Sequence, residues 1–380
     1  MKHKRHLVVI DPTAFSGGSK IATESILRLL DCDKIRITVL SADPDSWQWP
    51  QLTRVHLYQP KWLAKKEQGI AYFLRHFFIA VNLLITIGRF GRVDIALGAS
   101  GPGVDLALYL LKPLLGIKVI QLIHGPVARS RSIARSLLAA DKVYYLATSC
   151  ASLLNCLACI REPAITRLPE QFHIMHNGLS EQRWPTPCQT QYPTVFWAAS
   201  LLKWKGLETL LAALQTLPVE KRPITHICYI RPKDTQLPSS QPPTNMDKVH
   251  CYEDPANMDK IRASANIFVS TSKNEPFGLS ILEAMAAGHC VLIPADGAYW
   301  DRILTNNVNC IKYQADNSDC LMQKLQLLSN DMQQVRQIGE QAAKIAKGYR
   351  AEKQYANIKK NIEQSAGLSA LPAVTKGYKR

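Results

Sequence analysis

Acidic residues are scarce in this chain. Its 380 residues hold 30 Asp and Glu against 46 Lys and Arg, for a formal net charge of +16. Such an excess favours anionic partners: nucleic acid, anionic lipid or nucleotide phosphates. The basic residues are dispersed, without the stacked aromatics or fingerprints of an RNA- or DNA-binding module, so nucleic acid is set aside and a membrane surface is the better partner for the excess. A G-x-G-x-x-G string is also missing, which excludes a dinucleotide fingerprint. So is a secretory h-region. After Lys2, Lys4 and Arg5 comes only Leu7-Val8-Val9-Ile10 before Asp11-Pro12, so a cytoplasmic chain is expected. Ten cysteines in a cytosolic chain of this size do not suggest a disulfide scaffold. Cys150, Cys156 and Cys159 include a C-x-x-C, but a zinc site needs a fourth ligand and usually a second pair, and neither is apparent. They read as reduced thiols on a helix.

What is present is alternation. The length suits two domains, each with its own core. Candidate strands lie at Leu7–Ile10, Ile35–Leu40, Val93–Leu97, Lys118–Ile123, Lys142–Ala147 and Ile174–His176, with helical stretches between them. That is the pattern of a doubly wound parallel sheet. The stretch Arg183–Pro193 has three prolines and no periodicity, and reads as an inter-domain linker. A second alternating run starts at Thr194-Val195-Phe196-Trp197-Ala198, with a Pro- and Ser-rich surface excursion over Arg231–Asp247. The expected division is 1–186, 187–345, a crossover helix over 346–366, and a basic tail over 367–380.

The most informative stretch runs from Asn274 to Gly288, N-E-P-F-G-L-S-I-L-E-A-M-A-A-G. A buried strand precedes it at Ala265–Ser270 and another follows at Val291–Ile293. The loop therefore falls at the carboxyl end of a strand, where open α/β sheets hold ligands. A helix beginning near Phe277 or Gly278 leaves the amides of Leu279 and Ser280 unpaired, a site for an anion such as phosphate. Glu275 and Glu283 cannot face phosphate and are suited to accept from hydroxyl groups. Phosphate together with hydroxyls suggests a sugar nucleotide.

This string resembles the E-x7-E motif of the retaining "group 1" nucleotide-sugar glycosyltransferases, and the resemblance extends over most of the chain. It implies the GT-B fold, two Rossmann-like α/β domains facing across a cleft, with the acceptor on the N-terminal domain and a UDP- or GDP-linked sugar on the C-terminal one. It implies that Glu275 contacts the donor sugar, Glu283 the ribose hydroxyls, and the segment Phe277-Gly278-Leu279-Ser280 the diphosphate. Gly17 and Gly18, after the first strand, match the Gly-Gly loop near donor phosphate and acceptor. His124 matches a strand-end histidine facing the donor sugar. Lys205 matches the lysine of the family's Arg-x4-Lys-Gly pattern; Ser200 stands where the Arg is usual, with Lys203 nearby as a possible second cation. No metal and no further cofactor are implied, and Asp43-Pro44-Asp45 reads as a loop rather than a metal site. His176, before Asn177-Gly178, reads as structural. Asp301 stands at the place of a family Glu, and both a site role and an ordinary helix-capping role stay open for it.

The implied activity is transfer of a hexose to a glycan or lipid-linked acceptor with retention of configuration, in the synthesis of lipopolysaccharide or another surface polysaccharide. Two alternatives remain: a sugar-nucleotide epimerase of the same architecture, and a non-catalytic membrane-surface scaffold whose donor site has degenerated at Ser200. Ile70–Ile87 is rich in Phe, Leu and Ile but interrupted by Arg75, His76 and Asn82, short of the ~20 apolar residues of a spanning helix. With Lys61, Lys65, Lys66, Arg89 and Arg92 around it and Arg129, Arg131 and Arg135 further on, it reads either as an interfacial helix on anionic lipid at the inner face of the plasma membrane or as a buried helix.

Overall fold

The computed structural model describes residues 4–13, 17–43, 45–64, 66, 69–160, 166–232 and 237–368. Runs such as Leu7–Ile10 and Val291–Ile293 are unbroken apolar stretches because they are buried on both faces, each in the middle of a parallel sheet. The first sheet is built from β1 (Arg5–Asp11), β2 (Ile35–Ser41), β3 (Leu52–His56), β4 (Ile95–Gly98), β5 (Lys118–Ile123), β6 (Lys142–Leu146) and β7 (Phe172–Met175), in the order β3-β2-β1-β4-β5-β6-β7. The second holds β8 (Thr194–Ser200), β9 (Ile224–Ile230), β10 (Val249–Glu253), β11 (Ile267–Val269), β12 (Cys290–Ala295) and β13 (Ile311–Gln314), in the order β10-β9-β8-β11-β12-β13. Every neighbouring pair is parallel.

The strand order reverses between β1 and β4 in one sheet and between β8 and β11 in the other. At such a point successive crossovers leave on opposite faces, which opens a crevice at the carboxyl ends of the two strands. The loops after β1 and β8 carry the Gly17-Gly18 and Lys205 motifs, and the loop after β11 carries Glu275. Topology thus places the candidate residues at the two crevices before any side chain is considered.

β3 is a strand that the apolar pattern does not announce. It lies at the sheet edge, and along Leu52-Thr53-Arg54-Val55-His56 only Leu52 is buried. The helix Gly69–Phe90 buries one side and exposes the other. Arg75 and His76, which interrupt the apolar run, turn inward at 6% and 0% exposure, beside Ile79 and Leu83. Its opposite side leaves Ile70, Phe73, Phe77 and Ile85 exposed.

The two sheets share one hydrophobic cluster, which contains Leu7 and Tyr144 from the first and Phe196 and Phe268 from the second. The C-terminal helices Ala351–Gln354 and Ala356–Ser365 seal it, burying Tyr355, Ile358 and Ile362. Their anchor is the His176-Asn177-Gly178 turn. Gly178 N donates to the Tyr355 hydroxyl at 3.0 Å, Leu179 N to Tyr349 O and Ala351 N to Leu179 O, both at 2.9 Å. A Cβ on Gly178 would lie 2.8 Å from Ala351 Cα, so the turn admits no side chain there. Replacing Tyr355 by Phe strands the buried Gly178 amide and should lower stability by about 1–3 kcal/mol. A thermal midpoint unchanged from wild type would show that this anchor contributes nothing.

Candidate active site

The lysine loop is set by one close approach. Gly206 has φ +71°, and a Cβ there would meet the carbonyl oxygen of Thr271 at 2.2 Å. Only glycine fits, and the loops after β8 and β11 therefore touch through their backbones. Thr271 Oγ1 donates to Lys205 O at 2.8 Å and accepts from Trp197 Nε1 at 3.0 Å; Lys273 N donates to Trp204 O at 2.9 Å. This clamp delivers the Lys205 ammonium to Glu275, with Nζ donating to Oε2 at 2.5 Å and each side chain about 15% exposed (16% and 14%). The same ammonium lies 4.0 Å from the centre of the Trp204 ring. Lys203, two residues earlier, goes elsewhere: it is exposed and paired with Glu208 at 2.9 Å. Ser200 ends β8, half-buried. The structure brings Lys205 and Glu275 together and leaves Lys203 out.

After Glu275 the chain turns through Gly278, at φ +79°, into the helix Leu279–Ala286. The amides of Ile281 and Leu282 both return to Gly278 O, whereas those of Leu279 and Ser280 have no hydrogen-bond partner among the described residues. They and the helix dipole suit an anion. Phe277 is not presented to a ligand. Its ring is 2% exposed and packs on Tyr299 and Trp300, with centroids 4.7 and 5.2 Å away, so only its backbone faces the loop. Trp300 Nε1 donates to Gly278 O at 3.2 Å and fixes the turn. Glu283 is held by Arg262, whose Nη2 donates to Oε2 at 2.9 Å. Asp301 accepts from Gly297 N at 2.7 Å and pairs with Lys312 at 2.8 Å, which closes its own loop.

The N-terminal half meets this helix directly. A Cβ on Gly18 would lie 3.5 Å from Leu279 Cδ1, and Thr148 Oγ1 donates to Pro276 O at 2.8 Å. Gly17 caps the helix Gly18–Leu27 with extended backbone. Lys20, on that helix, is not free for a ligand: it pairs with Asp11 at 2.9 Å and Asp43 at 2.8 Å and is buried with both. Asp43 is thereby committed to the fold. Pro44 of the Asp-Pro-Asp string lies outside the described residues, as do Ser16 of the Gly-Gly loop, Lys65 and residues 369–380 of the tail.

Beside Gly18 opens a cavity of about 320 Å³ at the carboxyl ends of β4 and β5, lined by Ser19, residues 99–104, residues 123–128 and Ile133. His124 forms part of its wall. The residue as a whole is half-buried, yet both ring nitrogens are sealed from solvent with no partner among the described residues, and burial lowers its pKa to about 4. A neutral ring with an unmet donor and acceptor suits a hydroxyl group. Beneath the cavity lies Asp105, which sequence reasoning missed. Its Oδ2 accepts from Ser100 N, Gly101 N and Gln121 Nε2 at 3.1, 3.0 and 2.8 Å, and burial, outweighing these bonds, raises its pKa to about 7. It braces the cavity wall. Nothing in the local string marks it: two of these donors are backbone amides of its own loop, and the one side chain that holds it, Gln121, comes from the next strand. Among the described residues no group of three His, Cys, Asp or Glu side chains is placed to hold a metal, and all ten cysteines are unpaired.

Two Rossmann-like α/β domains, each with its crevice at the carboxyl ends of a parallel sheet, make up the GT-B fold. Residues 180–345 match the model of the family "Glycosyl transferases group 1", and that segment belongs to the family. Solved structures agree in fold over nearly its whole length. The Anabaena protein Alr3699/HepE, in complex with UDP-glucose, is 14% identical with a TM-score of 0.70, over 95% of this chain and 99% of its own. Sucrose-phosphate synthase from Thermosynechococcus elongatus is 15% identical with a TM-score of 0.72, over 96% and 100%. WaaG, a glycosyltransferase involved in lipopolysaccharide biosynthesis, is 14% identical with a TM-score of 0.65, over 94% and 99%. No curated protein matches this sequence. The chain is a glycosyltransferase, an enzyme that transfers a sugar from a nucleotide sugar.

His124 gives a pH test. With its folded-state pKa near 4, below the ordinary 6.5, its neutral form contributes fully above pH 6.5, and that contribution is lost as pH falls towards 4. Wild type should therefore lose more stability between pH 7 and pH 5 than a His124→Gln variant, measured as urea midpoints. Equal losses would mean that the ring titrates normally.

Proposed function

We propose that this enzyme moves a hexose from a UDP- or GDP-linked sugar to a glycan or lipid-linked acceptor, with retention of anomeric configuration and without a metal. The observation that carries the reading is the Lys205–Glu275 contact at 2.5 Å beside the two unpartnered amides of Leu279 and Ser280. It sets a cation from the loop after β8 against a hydroxyl acceptor and a helix end suited to an anion, both supplied by the chain after β11. The diphosphate leaving group would be stabilised by Lys205 and those amides, which act on charge as it develops. Glu275 orients the sugar and His124 lines its other face. A phosphate oxygen of the leaving group takes the proton of the acceptor hydroxyl. Gly17, Gly18 and the cavity beside His124 then receive the acceptor, and Glu283 the ribose. Ser200 supplies a hydroxyl in place of a cation, so Lys205 carries the side-chain charge there.

The UDP-glucose complex of the Anabaena protein supports a UDP-linked donor, and the role of WaaG supports a surface-glycan pathway. Glu275→Ala and Lys205→Ala should each cut turnover roughly 100-fold or more with folding intact. Calorimetry with UDP, GDP and ADP should show one nucleotide bound and the binding lost in Glu283→Ala. Near-normal turnover in either alanine variant removes the role assigned to that residue, and no nucleotide binding removes the donor site.

A membrane surface is the second partner in this reading. The exposed side of helix Gly69–Phe90 carries Ile70, Phe73, Phe77 and Ile85 at 88, 56, 60 and 64% exposure, and Arg89, Arg92, Arg129, Arg131 and Arg135 are exposed on the same domain. Apolar rings with basic neighbours suit the interface of an anionic leaflet at the cytoplasmic face of the plasma membrane. The chain should co-sediment with vesicles containing phosphatidylglycerol and not with purely zwitterionic ones, and Phe73→Ser/Phe77→Ser should release it. Equal partition to both vesicle types, or none, would remove the membrane from the reading.

A further inference from the structure

Glu283 does not stand alone. The side chain of Arg262, on the helix Met258–Ala263, is 8% exposed and reaches it from below the site: Nη2 donates to Glu283 Oε2 at 2.9 Å and Nη1 to Asp259 Oδ1 at 2.9 Å. Asp259 in turn holds the linker, accepting from Thr186 Oγ1 at 2.6 Å and from Thr186 N at 3.2 Å. The backbone of Arg262 is fixed as well, since His289 Nε2 lies 3.0 Å from its carbonyl oxygen. His289 is fully buried and its pKa is lowered to about 3, chiefly by burial, so the ring is neutral and its Nε2–H is the donor.

A carboxylate as enclosed as Glu283, at 15% exposure, needs a hydrogen-bonding partner in place of the water it has lost. A guanidinium is a planar, rigid donor that fixes the plane of the carboxylate it binds. With Oε2 committed to Arg262, Oε1 is the oxygen left to accept from a ligand. We propose that Arg262 is a positioning residue for ribose recognition: it holds Glu283 in one orientation so that Oε1 meets the ribose hydroxyls, and Asp259 holds Arg262. This rests on the assignment of Glu283 to the ribose given above. An ion pair that served the fold alone would weaken every nucleotide equally when broken. A positioning pair weakens binding only where a hydroxyl is there to be recognised.

The test is the ratio of dissociation constants of a nucleoside diphosphate and its 2′-deoxy analogue, measured by calorimetry with UDP and 2′-deoxy-UDP, or the GDP or ADP pair if that base is the one bound. Wild type should favour the ribonucleotide at least about tenfold, as expected of a site built to bond a hydroxyl. Glu283→Gln and Arg262→Gln should each bring the ratio below about threefold, with the deoxy analogue bound nearly as well as by wild type. Arg262→Lys should recover part of the preference. Asp259→Asn, at a half-exposed position, should lower it without threatening the fold, and gives the same reading if Arg262→Gln does not fold. If Glu283→Gln keeps the full preference, the ribose assignment itself fails. If Glu283→Gln loses it while Arg262→Gln and Asp259→Asn keep it, or if these variants weaken both nucleotides equally, the site assignment stands and the role of Arg262 is overturned.

Discussion

The candidate site depends on the contact between Gly206 and Thr271. Two loops that leave different strands of one sheet are joined there backbone to backbone, at a distance that excludes any side chain. Everything after it follows from reach. Lys205 precedes the contact and Glu275 follows it, so their charged ends converge. Thr271 closes the arrangement by bonding both Lys205 O and the buried indole of Trp197, which ties the position of the charge to the core of the sheet. A looser loop would leave the lysine to solvent, as the same segment leaves Lys203.

The charges of the two half-sites are handled differently. On the C-terminal side Lys205–Glu275 is an ion pair at a partly open position, and Arg262–Glu283 is a more enclosed pair that leaves one carboxylate oxygen, Oε1, without a partner among the described residues. On the N-terminal side Lys20 is locked between Asp11 and Asp43 with all three buried, a geometry that holds the Gly17-Gly18 turn and leaves no charge to offer. The cavity next to it presents the neutral His124 instead. One side presents paired charges beside unpartnered amides, the other an uncharged ring.

Much of this was legible in the sequence, for a physical reason. Strands buried on both faces must be unbroken apolar runs, so β1, β2, β5, β8 and β12 announce themselves, and the loop with Glu275 is placed by the strands around it. β3 was not legible, because an edge strand with one buried residue has no pattern to show. Direction was less legible than position. Phe277 lies in the motif yet turns into an aromatic cluster with Tyr299 and Trp300, and of two lysines two residues apart only one reaches the site. Asp105 and Arg262 were invisible, since Gln121 and Glu283, the partners that give them a place at the site, come from other segments, and neither sits in a string that marks it.

The shared cluster that joins the two sheets has a consequence for how the chain comes apart. Leu7, Tyr144, Phe196 and Phe268 belong to one apolar body, and the C-terminal helices that close it follow the second sheet in sequence. The helices that follow the second sheet thus complete the burial of a cluster that strands of the first sheet begin. Neither half reaches its final hydrophobic cover alone, and a fragment carrying only one sheet would expose the apolar surface that the other half covers.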